Sequence, residues 1–122
     1  MATCIAEVGH HLTQALADVG NFDAVVDYGE MLASIAGVFV DLRPIPDHGS
    51  LDPDPAVGYP VGNAVAAATG AAGHNGIIYP SVRHADGICI AAPWPNVVQS
   101  VAPGAMYRLT WSGTPVFDVT AL

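Results

Sequence analysis

Charge is what this sequence has least of. Only 11% of its 122 residues are charged, against about 25% in an ordinary soluble protein. Bases are the scarcest. Arg43, Arg83 and Arg108 stand against 11 acids, for a formal net charge of −8. Direct binding of nucleic acid needs a basic face, so that class is excluded, although an acidic domain can attach to a basic partner that itself holds DNA. Cysteine is nearly as scarce. Cys4 and Cys89 match no zinc or redox spacing and are too few for a disulfide scaffold, which points to a reducing cytoplasm. No apolar run reaches the length of a membrane span. No basic region precedes an apolar one at the N-terminus, so no signal peptide is read. The Gly-x-Ser-x-Gly elbow, His-Glu-x-x-His and the glycine-rich phosphate loops are all missing.

What is present is mostly apolar, 52% of the chain. One domain of this size, residues 1–122, buries one core. With so little charge, its surface is either Ala, Gly, Pro and Ser or is hidden against a partner, and a homo-oligomer is expected.

Residues 3–19 read as a helix, with Thr3 as cap, Glu7 in the first turn, and Ile5, Val8, Leu12, Ala15, Leu16 and Val19 on one face. Gly20 ends it. Residues 22–36 fit strand or helix equally. Val38 to Leu42 is a buried strand stopped by Pro44 and Pro46. Residues 43–58, rich in Pro and Gly, read as a loop whose aspartates are solvated. Tyr59 to Ala72 is an Ala-rich helix with Pro60 near its first turn and Val61, Ala64, Val65 and Ala68 on one face. Met106–Trp111 and Val116–Val119 are strands. The order gives an α+β fold with a mixed, mainly antiparallel sheet.

The informative stretch is Asn75 to Pro93. Two β-branched runs, Ile77–Tyr79 and Ile88–Ala92, flank Pro80-Ser-Val-Arg-His-Ala-Asp-Gly87, where a hydroxyl, a guanidinium, an imidazole and a carboxylate meet. A polar loop on a buried strand is a rigid place for a site, and is equally the form of a plain hairpin. On the first helix Glu7, His10 and His11 share a face. One Glu-x-x-His pair is half of what a di-iron site uses, so a surface helix is the better reading and no metal is expected. Glu7 has another chemical use. A lone carboxylate stabilises the positive charge on a ribose while a glycosidic bond to a cationic leaving group breaks. A serine and an arginine near it would hold hydroxyls and a pyrophosphate.

Two segments carry a resemblance. Ala2-Thr-Cys-Ile-Ala-Glu-Val-Gly-His-His-Leu12 resembles the Glu-bearing helix of the RES domain family. Gly76-Ile-Ile-Tyr-Pro-Ser-Val-Arg-His84, with Gly87-Ile-Cys-Ile-Ala91 and Pro93, resembles that family's late strand-turn-strand signature. The strand with Asp41-Leu42 and the helix from Tyr59 fall in the family's order. The resemblance implies a fold similar to ADP-ribosyltransferases and a toxin of a bacterial toxin–antitoxin pair. It implies NAD as substrate rather than cofactor, cleaved at the nicotinamide ribose by hydrolysis or phosphorolysis. It also implies an Xre-type helix-turn-helix antitoxin that covers the active site. Carried over, Glu7 matches the family's glutamate and Ser81 its serine. Arg83 is assigned to phosphate and Tyr79 to a pocket wall, with the helix start around Tyr59–Asn63 facing the same pocket.

The family's arginine, and a tyrosine a few residues before the Glu-bearing helix, have no match. Arg43, Arg83 and Arg108 stand elsewhere. The expectation is an N-terminally short domain without the family's first strands. Against the NAD-degrading toxin stands a non-catalytic binding or assembly module, or a remnant, that still pairs with the helix-turn-helix antitoxin. An in-frame upstream extension encoding an Arg and a Tyr would decide for the toxin.

Overall fold

The computed structural model describes residues 1–122. Helix α1 spans Ala2–Val19 and strand β1 Asp23–Ile35. Strand β2 (Phe39–Asp41), a 3-10 turn (Gly49–Leu51) and helix α2 (Pro55–Ala71) follow. Then come β3 (Gly76–Pro80), β4 (Ile88–Ala91), a second 3-10 turn (Pro95–Val97), β5 (Val98–Ser112) and β6 (Phe117–Ala121). The class is α+β, as the element order predicts. The strands form two sheets rather than one, in the orders β1-β5-β6 and β2-β3-β4. β5 with β6 and β3 with β4 are antiparallel, and β2 with β3 is parallel. No helix is long and apolar enough to cross a membrane. Contacts gather into two compact units: Met1–Ala33 with Ser100–Leu122, and Ser34–Gln99.

In the first unit α1 starts one residue before the expected boundary. Its N-cap is Met1, with no side-chain cap bond, so Thr3 does not cap and Glu7 lies beyond the first turn. Gly20 closes the helix as expected, left-handed at φ 68°, with its N–H on Ala17 O and the Asn21 N–H on Leu16 O. Only Gly9 of this helix is fully buried. A Cβ there would run into the Phe117 ring. One turn on, Thr13 Oγ1 accepts the Trp111 indole N–H at 3.0 Å. Val19 is 72% exposed and Ala15 is exposed too, so neither belongs to the covered face. Leu109 and Trp111 are the core of this unit, and Trp111 packs on Phe117 with ring centres 4.9 Å apart.

The ambiguous segment 22–36 is strand. Its burial alternates from Asp23 to Glu30, with Ala24, Val26, Tyr28 and Glu30 on the covered side. β5 is far longer than Met106–Trp111. Its early part contains Pro103 and Gly104, residue types that usually interrupt a strand. β6 pairs only with Tyr107–Trp111, so the proline lies where no β6 amide partner is needed. The Ala105 N–H is instead satisfied by the Glu30 carboxylate at 3.1 Å.

In the second unit α2 begins at Pro55, four residues before the expected start. Asp54 caps it by accepting the Ala56 N–H at 2.9 Å. Pro60 is therefore inside the helix, where it forgoes one backbone hydrogen bond. The buried positions are Gly58 and Thr69, with Gly62 and Val65 half-buried between them. Val61, Ala64 and Ala68 are exposed, which corrects the expected face. At the start of the helix backbone approaches backbone, so glycine takes the contact there. A Cβ on Gly58 would lie 2.6 Å from Asp52 O. Leu42, Leu51, Ile77 and Val97 complete this core.

Candidate functional site

Strand β3 delivers the chain into the polar loop that the sequence singles out. Ile77 is buried, Tyr79 and Pro80 are half-buried, and β4 holds them in register, Tyr79 opposite Cys89 and Pro80 opposite Ile88. The loop then closes on itself. The Ser81 N–H bonds to Gly87 O at 2.8 Å and the Gly87 N–H to His84 O at 3.0 Å. Ser81 Oγ accepts the backbone N–H groups of both Arg83 and His84, each at 3.1 Å. This is a serine turn of the kind that competes with regular structure and fixes a loop. Asp86, at φ 61°, takes the left-handed step before Gly87. So the hydroxyl, the guanidinium and the imidazole stand on a preformed loop.

Arg83 reaches out of that loop. Its Nη2 donates to Pro53 O at 3.1 Å, just ahead of the α2 cap. The other two arginines are spent on carboxylates. Arg43 forks Asp41 through Nε and Nη2 at 2.9 and 2.7 Å. Its guanidinium holds the Asp41 carboxyl well below the ordinary range, from 3.8 to about 2. Arg108 forks Asp27 at 2.7 and 2.8 Å, and the hydrogen bonds push that carboxyl down as well. Arg83 alone has no carboxylate fork, so its charge is the one available to an outside anion.

Beside the loop, between α2 and the β2-β3-β4 sheet, lies a cavity of about 270 Å³. Tyr79, Tyr59 and Asn63 line it with Ser50, Leu42 and Leu51. Two phenol rings, an amide and a hydroxyl around apolar walls suit a small planar ligand. Tyr79, Tyr59 and Asn63, which the resemblance assigns to a pocket, are among its walls. Ser50 and Leu51 are missed, because they sit in the segment read as loop. The only local signal is the Asp-Pro-Asp-Pro run that follows them and caps α2.

Tyr79, Ser81 and Arg83 are thus brought together on one strand and its loop, while neither Ser81 nor Arg83 lines the cavity. Glu7 belongs to the first unit, half-buried on α1. That unit has its own apolar cleft of about 420 Å³, walled by Ile5, Val8, Tyr28, Tyr107 and Leu109, and Glu7 is not among its lining residues. On α1 the His10 and His11 rings meet edge to face at 5.5 Å. No three His, Cys, Asp or Glu side chains gather in metal-holding geometry.

Comparison with known proteins gives one positive result. The family model described as RES domain matches residues 1–112. Searches of curated proteins and of solved structures return no match.

Proposed function

The chain belongs to the RES domain family, and we propose that it is a toxin domain that cleaves NAD at the nicotinamide–ribose bond. The observation that carries this is the extent of the match. It covers the Glu7 helix, the Tyr59–Asn63 turn and the Tyr79–Arg83 segment in one stretch, residues 1–112. In this reading Glu7 stabilises the ribosyl cation as nicotinamide departs. Tyr79 provides an aromatic wall for one base of the dinucleotide. Arg83, the arginine without a carboxylate fork, takes the pyrophosphate. Water or phosphate then captures the ribosyl carbon, giving hydrolysis or phosphorolysis. NAD is the substrate and no further cofactor enters. The fold would be of the ADP-ribosyltransferase kind, acting in the cytoplasm as a homo-oligomer held by an Xre-type helix-turn-helix antitoxin. The acidic balance of −8 supports attachment to a basic DNA-binding protein rather than to DNA.

Nicotinamide release from NAD by the purified protein tests the reading. Glu7→Gln is expected to lower the rate about a hundredfold or more. Arg83→Gln is expected to raise KM about tenfold with a smaller change in kcat. Equal rates for the wild type and Glu7→Gln would overturn the assignment.

One observation favours the non-catalytic alternative. Ser81 Oγ is committed to two amides of its own loop, a structural role that needs no substrate. Capture of a helix-turn-helix partner without any NAD loss would decide for a binding module. So would a Ser81→Ala variant whose only defect is a looser loop.

A further inference from the structure

We propose that His48 is a pH-sensitive latch on the turn that walls the second unit's cavity. The residue stands at the N-cap of the Gly49–Leu51 turn, with its ring half-buried. Its Nδ1 accepts the Ser50 backbone N–H at 3.2 Å and pairs with Ser50 Oγ at 2.8 Å. A backbone amide only donates, so Nδ1 must carry a lone pair, and the hydroxyl proton then points at it too. An imidazolium has a proton on each ring nitrogen and accepts nothing. Protonation therefore ends the bond from the Ser50 N–H, and the ring N–H then donates to Ser50 Oγ instead.

The turn that would be released is part of the cavity. Leu51 is 8% exposed, and Ser50 and Leu51 line the space together with Tyr59, Asn63 and Tyr79. Helix α2 lies against the same segment, with Gly58 close to Asp52 O and a Cβ on Gly62 falling 3.8 Å from Ser50 Cβ. Leu51 cannot leave without opening that wall. The charged and titratable groups facing the latch are few. Asp47 and Asp52 share the shallow depression that holds His48, Tyr59 comes from α2, and Arg83 arrives through Pro53 O. Of the side-chain types in this set, imidazole is the one whose ordinary protonation range lies nearest neutrality. The turn is then latched while the ring is neutral and loosened once it is protonated. The proposal does not depend on what the cavity binds.

Amide hydrogen exchange of the full chain tests it, measured at about pH 7.5 and about pH 5, on either side of the ordinary imidazole range, and corrected for intrinsic rates. The Ser50 and Gly58 amides of the wild type are expected to lose protection about fivefold at the lower pH, the scale of losing one N-cap. His48→Asn should keep protection at both values, since an Asn oxygen accepts the Ser50 N–H and does not titrate. His48→Ala should be unprotected at both. The Leu109 amide in the first unit serves as reference and should not move. Equal protection of the wild type at the two pH values, or a loss in His48→Asn as large as in the wild type, would overturn the latch.

Discussion

The two units hold their helices by opposite means. In the first, a side chain fills the gap left by a missing one: the Phe117 ring lies on Gly9, and Trp111 beside it bonds to Thr13. In the second, backbone meets backbone at Gly58 of α2, set against Asp52 O, and the packed stripe runs on through Gly62, Val65 and Thr69. The first unit should respond to loss of a ring and the second to gain of a methyl. A helix of Ala and Gly has little side chain to lose, so its contact depends on what is absent.

The largest effect is therefore expected in the first unit. Trp111 is 2% exposed and makes both the ring contact and the hydrogen bond. Trp111→Ala should cost about 3–5 kcal/mol in denaturant unfolding. Trp111→Phe, which keeps most of the packing and drops the indole N–H, should cost clearly less and so separate ring from bond. If the two variants lose the same amount, the hydrogen bond to Thr13 dominates and the contrast between the units is misdrawn.

In the second unit one substitution type should change sign along one helix. Gly58→Ala puts a methyl 2.6 Å from a carbonyl oxygen that has no side chain to swing away. It should destabilise by about 1–3 kcal/mol despite the better helix propensity of alanine. Gly70→Ala, where a Cβ meets nothing within 4 Å, should stabilise by about 0.5–1 kcal/mol. Melting temperatures of the two variants give the answer directly. A pair that moves in the same direction would show that propensity, not approach, governs α2.

The same contrast explains what could be read from the sequence. Helix α1 was legible because Ile5, Leu12 and Leu16 repeat at helical spacing and Gly20 stops the chain. Strands β3 and β4 were legible as β-branched runs between Gly and Pro. The face of α2 was not, because hydrophobicity ranks Val61 above Gly58 while close approach ranks them the other way. Its start is hidden because Pro60 looks like a first-turn proline, whereas Pro55 behind Asp54 holds that place. The first half of β5 was hidden by Pro103 and Gly104, whose strand is completed by the Glu30 carboxylate from β1. For the candidate site, Tyr79, Ser81 and Arg83 are neighbours in the chain and were visible together. Ser50 and Leu51 reach the cavity only through folding of a segment without periodicity.

The smallest effect sharpens the comparison furthest, because each unit carries one arginine–carboxylate fork and the two differ in span. Asp41 and Arg43 are two residues apart, whereas Asp27 and Arg108 are 81 apart on neighbouring strands. Both carboxyls are held below their ordinary value by the guanidinium that bonds them, Asp41 to about 2. A depressed carboxyl adds stability above its unfolded value near 3.8, and that contribution fades as pH falls toward the folded one. Only the difference between folded and unfolded chains counts, and a two-residue pair persists in part when the chain unfolds. Asp41 should thus show the depressed titration but add little to the acid limb of stability. Asp27 loses its partner entirely on unfolding and should carry that limb. In carboxyl NMR titration Arg43→Gln should raise Asp41 only part of the way toward 3.8, because the backbone N–H of residue 43 still bonds its carboxylate, while unfolding between about pH 2 and pH 5 hardly changes. Arg108→Gln should flatten the acid dependence instead. The reverse pattern would mean that the local fork forms only in the folded chain, and that the span of a fork in sequence does not set its share of acid stability.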